Sequence, residues 1–309
     1  MKLLNNYSLK KLTTMAMGGA ARYYVAVRSE GELLEALEYA RTHKLAYYVI
    51  GEGSNLIAAD KGFSGLVIRN QIVKFNRERR LISVGAGSNL TKFILKLDRL
   101  GLSGLEKMAG IPGTVGGAVY GSAGAYGQEI KDRIVGVDFF DGKRFRSLPK
   151  ASCKFSYRAS IFKQHKNWII TGVRLELGAG ESESLLRTSN EIIKLREKKY
   201  WPGLKCPGSF FKNIKLSEIS SNARKRILSI IPKEKILYGK LPAGVLLEEV
   251  GAKGIHQGTI RVADHHANLI YNPGGGKAAD VKKLAQNLRK LVKTRFGVII
   301  EEEVQYLDF

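Results

Sequence analysis

The apolar positions fall into short blocks whose spacing switches between every second residue and every third or fourth, the mark of strands alternating with helices. Tyr23 to Val27 reads as a short strand. From Ser29 the spacing predicts a helix: Glu32 follows three residues on in a capping-box pattern, and Leu33, Leu37 and Ala40 share a face. Leu45 to Ile50 is a compact apolar run that reads as a buried strand and ends at Gly51-Glu52-Gly53-Ser54-Asn55. This β-α-β opening has the order of half a nucleotide-binding layer. A second unit starts near Leu81. Its strand, Leu81 to Val84, runs into Gly85-Ala86-Gly87-Ser88-Asn89 and then a helix carrying Leu90, Ile94, Leu97 and Leu100, stopped by Gly101. The pattern Gly-x-Gly-Ser-Asn-Leu thus occurs twice, as two strand-to-helix turns would favour without any duplication.

Past Ala109 the periodicity breaks down, and glycine recurs at 110, 113, 116, 117, 121, 124 and 127. Such a stretch supplies little packing and must follow a demanding backbone path. Gly136 to Phe140, Lys143 to Ser147 and Trp168 to Leu177 read as strands of an antiparallel sheet, and Glu181 to Lys199 as a long helix. A third unit runs from Trp201 to Gly297. It closes on a helix with Val281, Leu284, Leu288, Leu291 and Val292 inward and Gly297 as its stop. Val298 to Phe309 is expected as a final strand. The fold class is α+β in three units.

At 309 residues the chain is long enough for two or three cores. No apolar run approaches the roughly 20 residues that cross a bilayer, and no secretory leader pattern follows Met1. The two cysteines, Cys153 and Cys206, are too sparse for a secreted scaffold, so the cytoplasm is expected. Charge adds one alternative. The formal net charge is +23, which fits a nucleic-acid binder or a solvated basic surface drawn to small anions. The basic residues are scattered, and no recognisable RNA- or DNA-binding module accompanies them.

Glycine turns let backbone amides approach a pyrophosphate closely. Gly51-Glu52-Gly53-Ser54-Asn55 has that potential, although Leu56 stands where the usual dinucleotide fingerprint has its third glycine. Ile111-Pro112-Gly113-Thr114-Val115-Gly116-Gly117 and Ser122-Ala123-Gly124-Ala125-Tyr126-Gly127 make a pair of turns able to wrap a long anionic ligand, with Thr114 and Ser122 offering hydroxyls. No Gly-Lys-Ser/Thr closes either loop, which argues against a nucleoside triphosphatase. Taken singly, Arg158 reads as a surface charge, Ser209 as a helix cap and Glu303 as a solvated strand residue. His265 and His266 point to opposite faces if on a strand and lack a third ligand, so no metal is expected. Cys206 has no evident His–Asp partner and reads as structural.

Taken together, the blocks point further. Thr14-Met15, Gly18-Gly19-Ala20, Gly51 to Asn55, Pro112 to Gly117, Ala123 to Gly127, Tyr157-Arg158, Gly208-Ser209-Phe210-Phe211-Lys212-Asn213, His266-Ala267-Asn268, Phe296-Gly297 and Glu303-Val304 follow in one order across almost the whole chain. In that order they resemble the UDP-N-acetylenolpyruvoylglucosamine reductase family. The resemblance implies an FAD-binding region of the vanillyl-alcohol-oxidase type, built as two α+β subdomains, with a smaller α/β substrate-binding domain. The expected boundaries are 1–76 and 77–200 for the two subdomains, the second completed by 298–309, and 201–297 for the substrate domain.

The resemblance also implies the chemistry. FAD would carry reducing equivalents from NADPH to the enolpyruvyl ether of a UDP-sugar, a step in making peptidoglycan precursors. Arg158 would stabilise negative charge on the enolpyruvyl group, Glu303 would share a proton with it, and Ser209 would deliver the proton that completes the reduction. The cofactor would lie against Gly51, Gly53, Ser54, Asn55 and Leu56, then Pro112, Gly113, Thr114, Val115, Gly116 and Gly117, then Ser122, Ala123, Gly124, Ala125 and Tyr126. Tyr157, Lys212, Asn213, Lys240, His266 and Asn268 would line the substrate. A monomer is expected, with a small-molecule substrate and no nucleic acid or membrane span.

Three positions depart from the family pattern: Ser122 stands for an asparagine, Ile214 for a proline and Trp201 for a glutamine. None removes a group with a proposed catalytic role. The short interval from Arg158 to Ser209 resembles the subgroup without the tyrosine-bearing loop. Two other readings stay open, another FAD oxidoreductase of the same fold and a basic nucleic-acid binder.

Overall fold

The computed structural model describes residues 1–237 and 239–308; Tyr238 and Phe309, the latter closing the expected last strand, lie outside the described residues. The chain forms two compact units. Met1–Tyr7, Ala21–Gly53 and Ser64–Lys198 make the first, and Ser8–Ala20, Ser54–Phe63 and Lys199–Phe309 the second.

The first unit holds two cores. A four-stranded sheet in the order Leu4–Ser8, Ala20–Val27, Phe63–Asn70, Tyr47–Ile50 carries one of them, with the last pair parallel. The helix Glu30–Thr42 lays Leu33, Ala36 and Ala40 into that core. Its start differs in detail from a full capping box. Ser29 Oγ accepts from the Glu32 N–H, but the Glu32 carboxylate accepts from the N–H of Arg28 rather than of Ser29. The second core lies on a five-stranded antiparallel sheet ordered Phe145–Pro149, Ile134–Phe140, Ile169–Glu176, Leu81–Gly85, Phe75–Glu78. Helix Leu90–Arg99 contributes Leu90, Phe93, Ile94 and Leu97, and Phe139, Phe162 and Trp168 pack ring to ring. Of the expected subdomain 1–76, Ser8–Ala20 and Ser54–Phe63 fall in the second unit, while the rest shares the first unit with the segment 77–198.

The second unit is built on helix Ala278–Phe296 and the antiparallel strands His256–Gln257, Ile260–Ala263 and His266–Tyr271. The helix buries Val281, Leu284, Leu288, Val292 and Phe296, and Gly297 ends it at φ 73°. Its first amides, on Ala278 and Ala279, both donate to the carboxylate of Asp60, which satisfies donors a helix start leaves open and puts negative charge at the positive end of its dipole. Met15 and Met17 sit fully buried in this core.

The end of the chain departs from expectation. Among the described residues of this segment, only Gln305–Leu307 forms a strand, and it pairs in parallel with Leu56–Ala58 of the same unit. Residues 298–309 thus fall in the second unit and do not complete the segment 77–200. The reason lies in Glu301 to Glu303. Their backbone serves neighbours other than a continuous ladder: the Glu301 carbonyl accepts from Lys212, Glu302 makes a lone bridge to Phe211, and the Glu303 carbonyl accepts from Asn55.

Candidate active site

In the first unit the glycine loops are fastened to each other. The Gly85 to Asn89 turn zips onto Pro112 to Gly117: Leu90 N–H donates to Gly113 O at 2.9 Å, Val115 N–H to Ser88 O at 2.8 Å, and Gly116 N–H to Ala86 O at 2.8 Å. The Asn89 amide reaches Glu52 at 2.8 Å while its oxygen caps helix Leu90–Arg99. So the second Gly-x-Gly-Ser-Asn turn, which the sequence marked only as a turn, buttresses both other loops. A Cβ on Gly51 would come within 2.6 Å of Thr114 Oγ1, which fixes how closely those two loops can pack.

Val115, Gly116 and Gly117, expected to lie against the cofactor, have their N–H groups engaged within the protein, donating to Ser88, Ala86 and the Thr114 hydroxyl. Gly116 is glycine because its Cβ would stand 2.8 Å from Ala86 Cβ and 2.9 Å from Ala86 O, so the requirement there is packing.

The next loop is a tight hairpin. Gly124–Ala125 pairs with Gln128–Glu129, and both central residues, Tyr126 and Gly127, have positive φ, 49° and 84°. Two successive positive φ angles belong to the hairpin turn that usually takes Asn-Gly. Tyr126 therefore carries backbone strain and presents an exposed ring at the tip. Ser122 is also left-handed, at φ 45°, and its buried hydroxyl has no hydrogen-bond partner among the described residues.

Arg158 occupies another strained turn. Ser156 and Ala159 exchange backbone hydrogen bonds at 3.0 and 3.1 Å, leaving Tyr157 and Arg158 in the bend, with Arg158 at φ 56°. Its guanidinium donates to the carbonyls of Ser122 and Gly124 at 3.4 and 3.2 Å and lies 5.2 Å from the Tyr157 ring. Lys163 Nζ donates to the Arg158 carbonyl at 2.9 Å. The loop 122–124 thus aims the arginine.

In the second unit the segment Ser209 to Lys212 is stitched from two sides. Phe210 N–H donates to the Asn268 carbonyl, Glu303 N–H to the Phe210 carbonyl at 2.8 Å, and Lys212 N–H to the Glu301 carbonyl at 2.8 Å. Ser209 and Glu303 are therefore held beside one piece of backbone. Ser209 caps no helix; it follows Gly208, left-handed at φ 85°, and its hydroxyl lies 2.9 Å from the Tyr200 hydroxyl. The side chain of Asn55 donates to the Glu303 carbonyl at 3.1 Å, a positioning contact not anticipated for a residue expected to touch the cofactor. Ser54 accepts at its carbonyl from Thr14, and Leu56 is buried in its strand.

Asn268, expected to line the substrate, has a structural task. Its side chain is buried and spends both ends on Phe211, the oxygen accepting from the N–H and the amide donating to the carbonyl, each at 2.8 Å. It thereby positions Phe211. Replacing it by leucine strands both Phe211 groups, and each buried loss costs about 1–3 kcal/mol. Asn268→Leu is expected to melt well below the parent in a thermal scan, whereas a ligand-contact role alone would leave the melting temperature near that of the parent.

His266 accepts at Nδ1 from the Asn268 N–H at 3.1 Å, so its proton sits on Nε2. Burial, reinforced by the charge of Lys199, pushes its pKa down to about 4, and the ring is neutral at physiological pH. Lys212 pairs with the exposed Glu301 at 2.9 Å, a surface contact worth less than about 1 kcal/mol and readily given up to a stronger anion. Asn213 accepts from Ala243 N–H at 3.2 Å, and Lys240 lies opposite Lys215 in the two-residue pairing of Ile214–Lys215 with Lys240–Leu241. Both cysteines are buried free thiols. Burial raises Cys153 to about 11 and pushes Cys206 up as well, so neither is poised as a thiolate nucleophile.

Comparison with known proteins bears on both units. Residues 21–143 match the FAD binding domain family, and residues 201–307 match the family described as UDP-N-acetylenolpyruvoylglucosamine reductase, C-terminal domain. The chain is 45% identical to the UDP-N-acetylenolpyruvoylglucosamine reductase of Solibacter usitatus, over 97% of this chain and 95% of that protein. The chain belongs to the UDP-N-acetylenolpyruvoylglucosamine reductase family. The reductase of Caldicellulosiruptor bescii is 35% identical over 99% of this chain and 91% of its own length. The crystal structure of UDP-N-acetylenolpyruvylglucosamine reductase from Thermus caldophilus superposes with a TM-score of 0.75 at 31% identity, covering 99% of this chain and 98% of that one.

As a member of this reductase family the chain carries an FAD-binding domain, matched over residues 21–143 and drawn mostly from its first unit. The residues there fit the cofactor. The buried Ser122 hydroxyl waits on a partner, Gly53 and Gly113 turn at φ 62° and 121°, and Pro112, Gly117 and Tyr126 face outward. Val115 and Gly116 are buried, so they support the loop from beneath. The family's C-terminal domain match extends to 307, in keeping with a last strand that belongs to the second unit.

Proposed function

We propose that this chain reduces UDP-N-acetylglucosamine enolpyruvate to UDP-N-acetylmuramate at the expense of NADPH. The observation that carries the reading is the stitched segment of the reductase C-terminal domain, where the 2.8 Å bond from Glu303 N–H to Phe210 O holds Glu303 beside Ser209. Bound FAD supplies the two-electron chemistry between NADPH and the enolpyruvyl double bond. Reduction at the methylene carbon leaves negative charge on the neighbouring carbon, spread into its carboxylate. Arg158, already aimed by two carbonyls, supplies fixed positive charge for it. Glu303 hydrogen-bonds the same carboxylate through a proton. Ser209 gives its hydroxyl proton to the carbon. Lys212, Asn213 and Lys240 hold the diphosphate, and the neutral His266 offers Nε2–H to the sugar nucleotide.

We take the chain to act as a monomer; its two free thiols support a reducing compartment such as the cytoplasm. No helix among the described residues is long and apolar enough to cross a membrane. Incubating the FAD-loaded protein with NADPH and UDP-N-acetylglucosamine enolpyruvate tests the assignment. The expected product is the substrate plus two hydrogens by mass spectrometry; NADPH consumption without that product overturns it, as does purified protein that binds nucleic acid but no flavin.

A further inference from the structure

We infer that Tyr200 is the positioning residue for the Ser209 proton donor and resupplies its proton. The inference rests on the role proposed for Ser209. A serine hydroxyl has three staggered rotamers and a freely turning proton, so a donor that must reach one carbon needs a partner to fix it. Among the described residues, that partner is the Tyr200 hydroxyl at 2.9 Å. The tyrosine is itself well anchored. It follows directly on the last residue of helix Ser182–Lys199, its ring packs half-buried against the core of the second unit, and Lys199 Nζ lies 5.0 Å from the ring centre. Ser209 is anchored from its other side, since Gly208 turns left-handed before it and Phe210 N–H donates to Asn268 after it.

The chemistry follows from which oxygen donates. When Tyr200 donates to Ser209 Oγ, the serine proton is left to point away from the tyrosine. As the serine O–H bond breaks, its proton and the electron pair of the substrate carbanion form the new C–H bond, and charge gathers on Oγ. In the same step Tyr200 passes its own proton to Oγ, restoring the serine, and the phenolate afterwards recovers a proton from water. A phenol is a far stronger acid than an aliphatic alcohol, so this order of transfer runs downhill. Serine alone is a poor acid; a phenol donating to it stabilises the alkoxide as it forms.

Tyr200→Phe keeps the ring and its packing and removes only the hydroxyl. Flavin content and the rate of flavin reduction by NADPH are expected to match the parent and the melting temperature to fall by no more than a few degrees, while reoxidation by the enolpyruvyl substrate slows on the order of ten- to a hundredfold. Adding Tyr200→Phe to Ser209→Ala is expected to cost nothing more. The decisive readout is the reoxidation rate in mixtures of H2O and D2O. Two protons in flight give a curved dependence in the parent, and Tyr200→Phe straightens it. A straight line in the parent overturns the relay whether or not the variant folds well, as does a variant that reoxidises at the parent rate. Those results leave the reductase reading standing if Ser209→Ala is still slow, whereas a parent flavin that the substrate never reoxidises sinks the reading itself.

Discussion

Replacing Ser209 with alanine is expected to slow flavin reoxidation by the enolpyruvyl substrate by about a hundred- to ten-thousandfold, the usual contribution of a general acid. Flavin reduction by NADPH is expected to stay near the parent rate, because that half-reaction asks nothing of the serine. The fold gives little reason for collateral damage. The Ser209 side chain caps no helix, and its neighbours are held through backbone bonds from Phe210 to Asn268 and from Glu303 to Phe210. What alanine removes from the folded protein is the contact with Tyr200, worth on the order of 1 kcal/mol. Stopped-flow measurement of the two half-reactions separates the outcomes. Reoxidation at the parent rate would make Ser209 a spectator of the chemistry.

The second large effect concerns Arg158 and Glu303. Arg158→Ala, Glu303→Gln and Glu303→Ala are each expected to slow reoxidation while leaving FAD binding and the NADPH step close to normal. Glu303→Gln keeps the shape and a donor and is expected to be milder than Glu303→Ala. Both residues are assigned to one developing charge, so the double variant should lose less than the two single losses combined. Arg158 allows a further check. Its φ of 56° costs a non-glycine residue about 1–2 kcal/mol, so Arg158→Gly should be more stable than Arg158→Ala by roughly that amount, yet equally slow. Strain held at a residue the turn itself would prefer as glycine marks the side chain as wanted for something other than stability. Fully additive losses, or losses confined to the NADPH step, would assign the two residues to separate tasks.

Much of this was legible in the sequence where the signal is local. Helix Ala278–Phe296 follows from its apolar spacing and the glycine that stops it, and the three strands between 134 and 176 follow from alternation and turn residues. Contacts between distant segments were not legible. Asp60 caps a helix that begins more than two hundred residues later, and Leu56–Ala58 pairs with Gln305–Leu307. Neither leaves a periodic trace in either segment, so the last residues were assigned to the wrong partner. The site shows the same division. Its blocks were found by motif and order, but the tasks of Asn55, Asn89, Asn268 and Tyr200 depend on a hydrogen bond to a partner elsewhere in the chain. A polar residue in a string cannot announce whether its amide faces a ligand or a neighbouring backbone. The strained φ values at Ser122, Tyr126 and Arg158 were equally hidden, since composition favours glycine there and the chain has other residues instead.

In this mechanism one bound flavin passes electrons from NADPH to the enolpyruvyl group of a UDP-sugar. That transfer is tested most directly by following flavin absorbance without oxygen. Adding NADPH to the FAD-loaded protein should bleach the flavin band. Adding UDP-N-acetylglucosamine enolpyruvate next should restore it in full, with UDP-N-acetylmuramate formed in equal amount. A band that NADPH bleaches but the enolpyruvyl substrate leaves bleached, while another oxidant restores it, would contradict the account and leave an FAD oxidoreductase of different specificity.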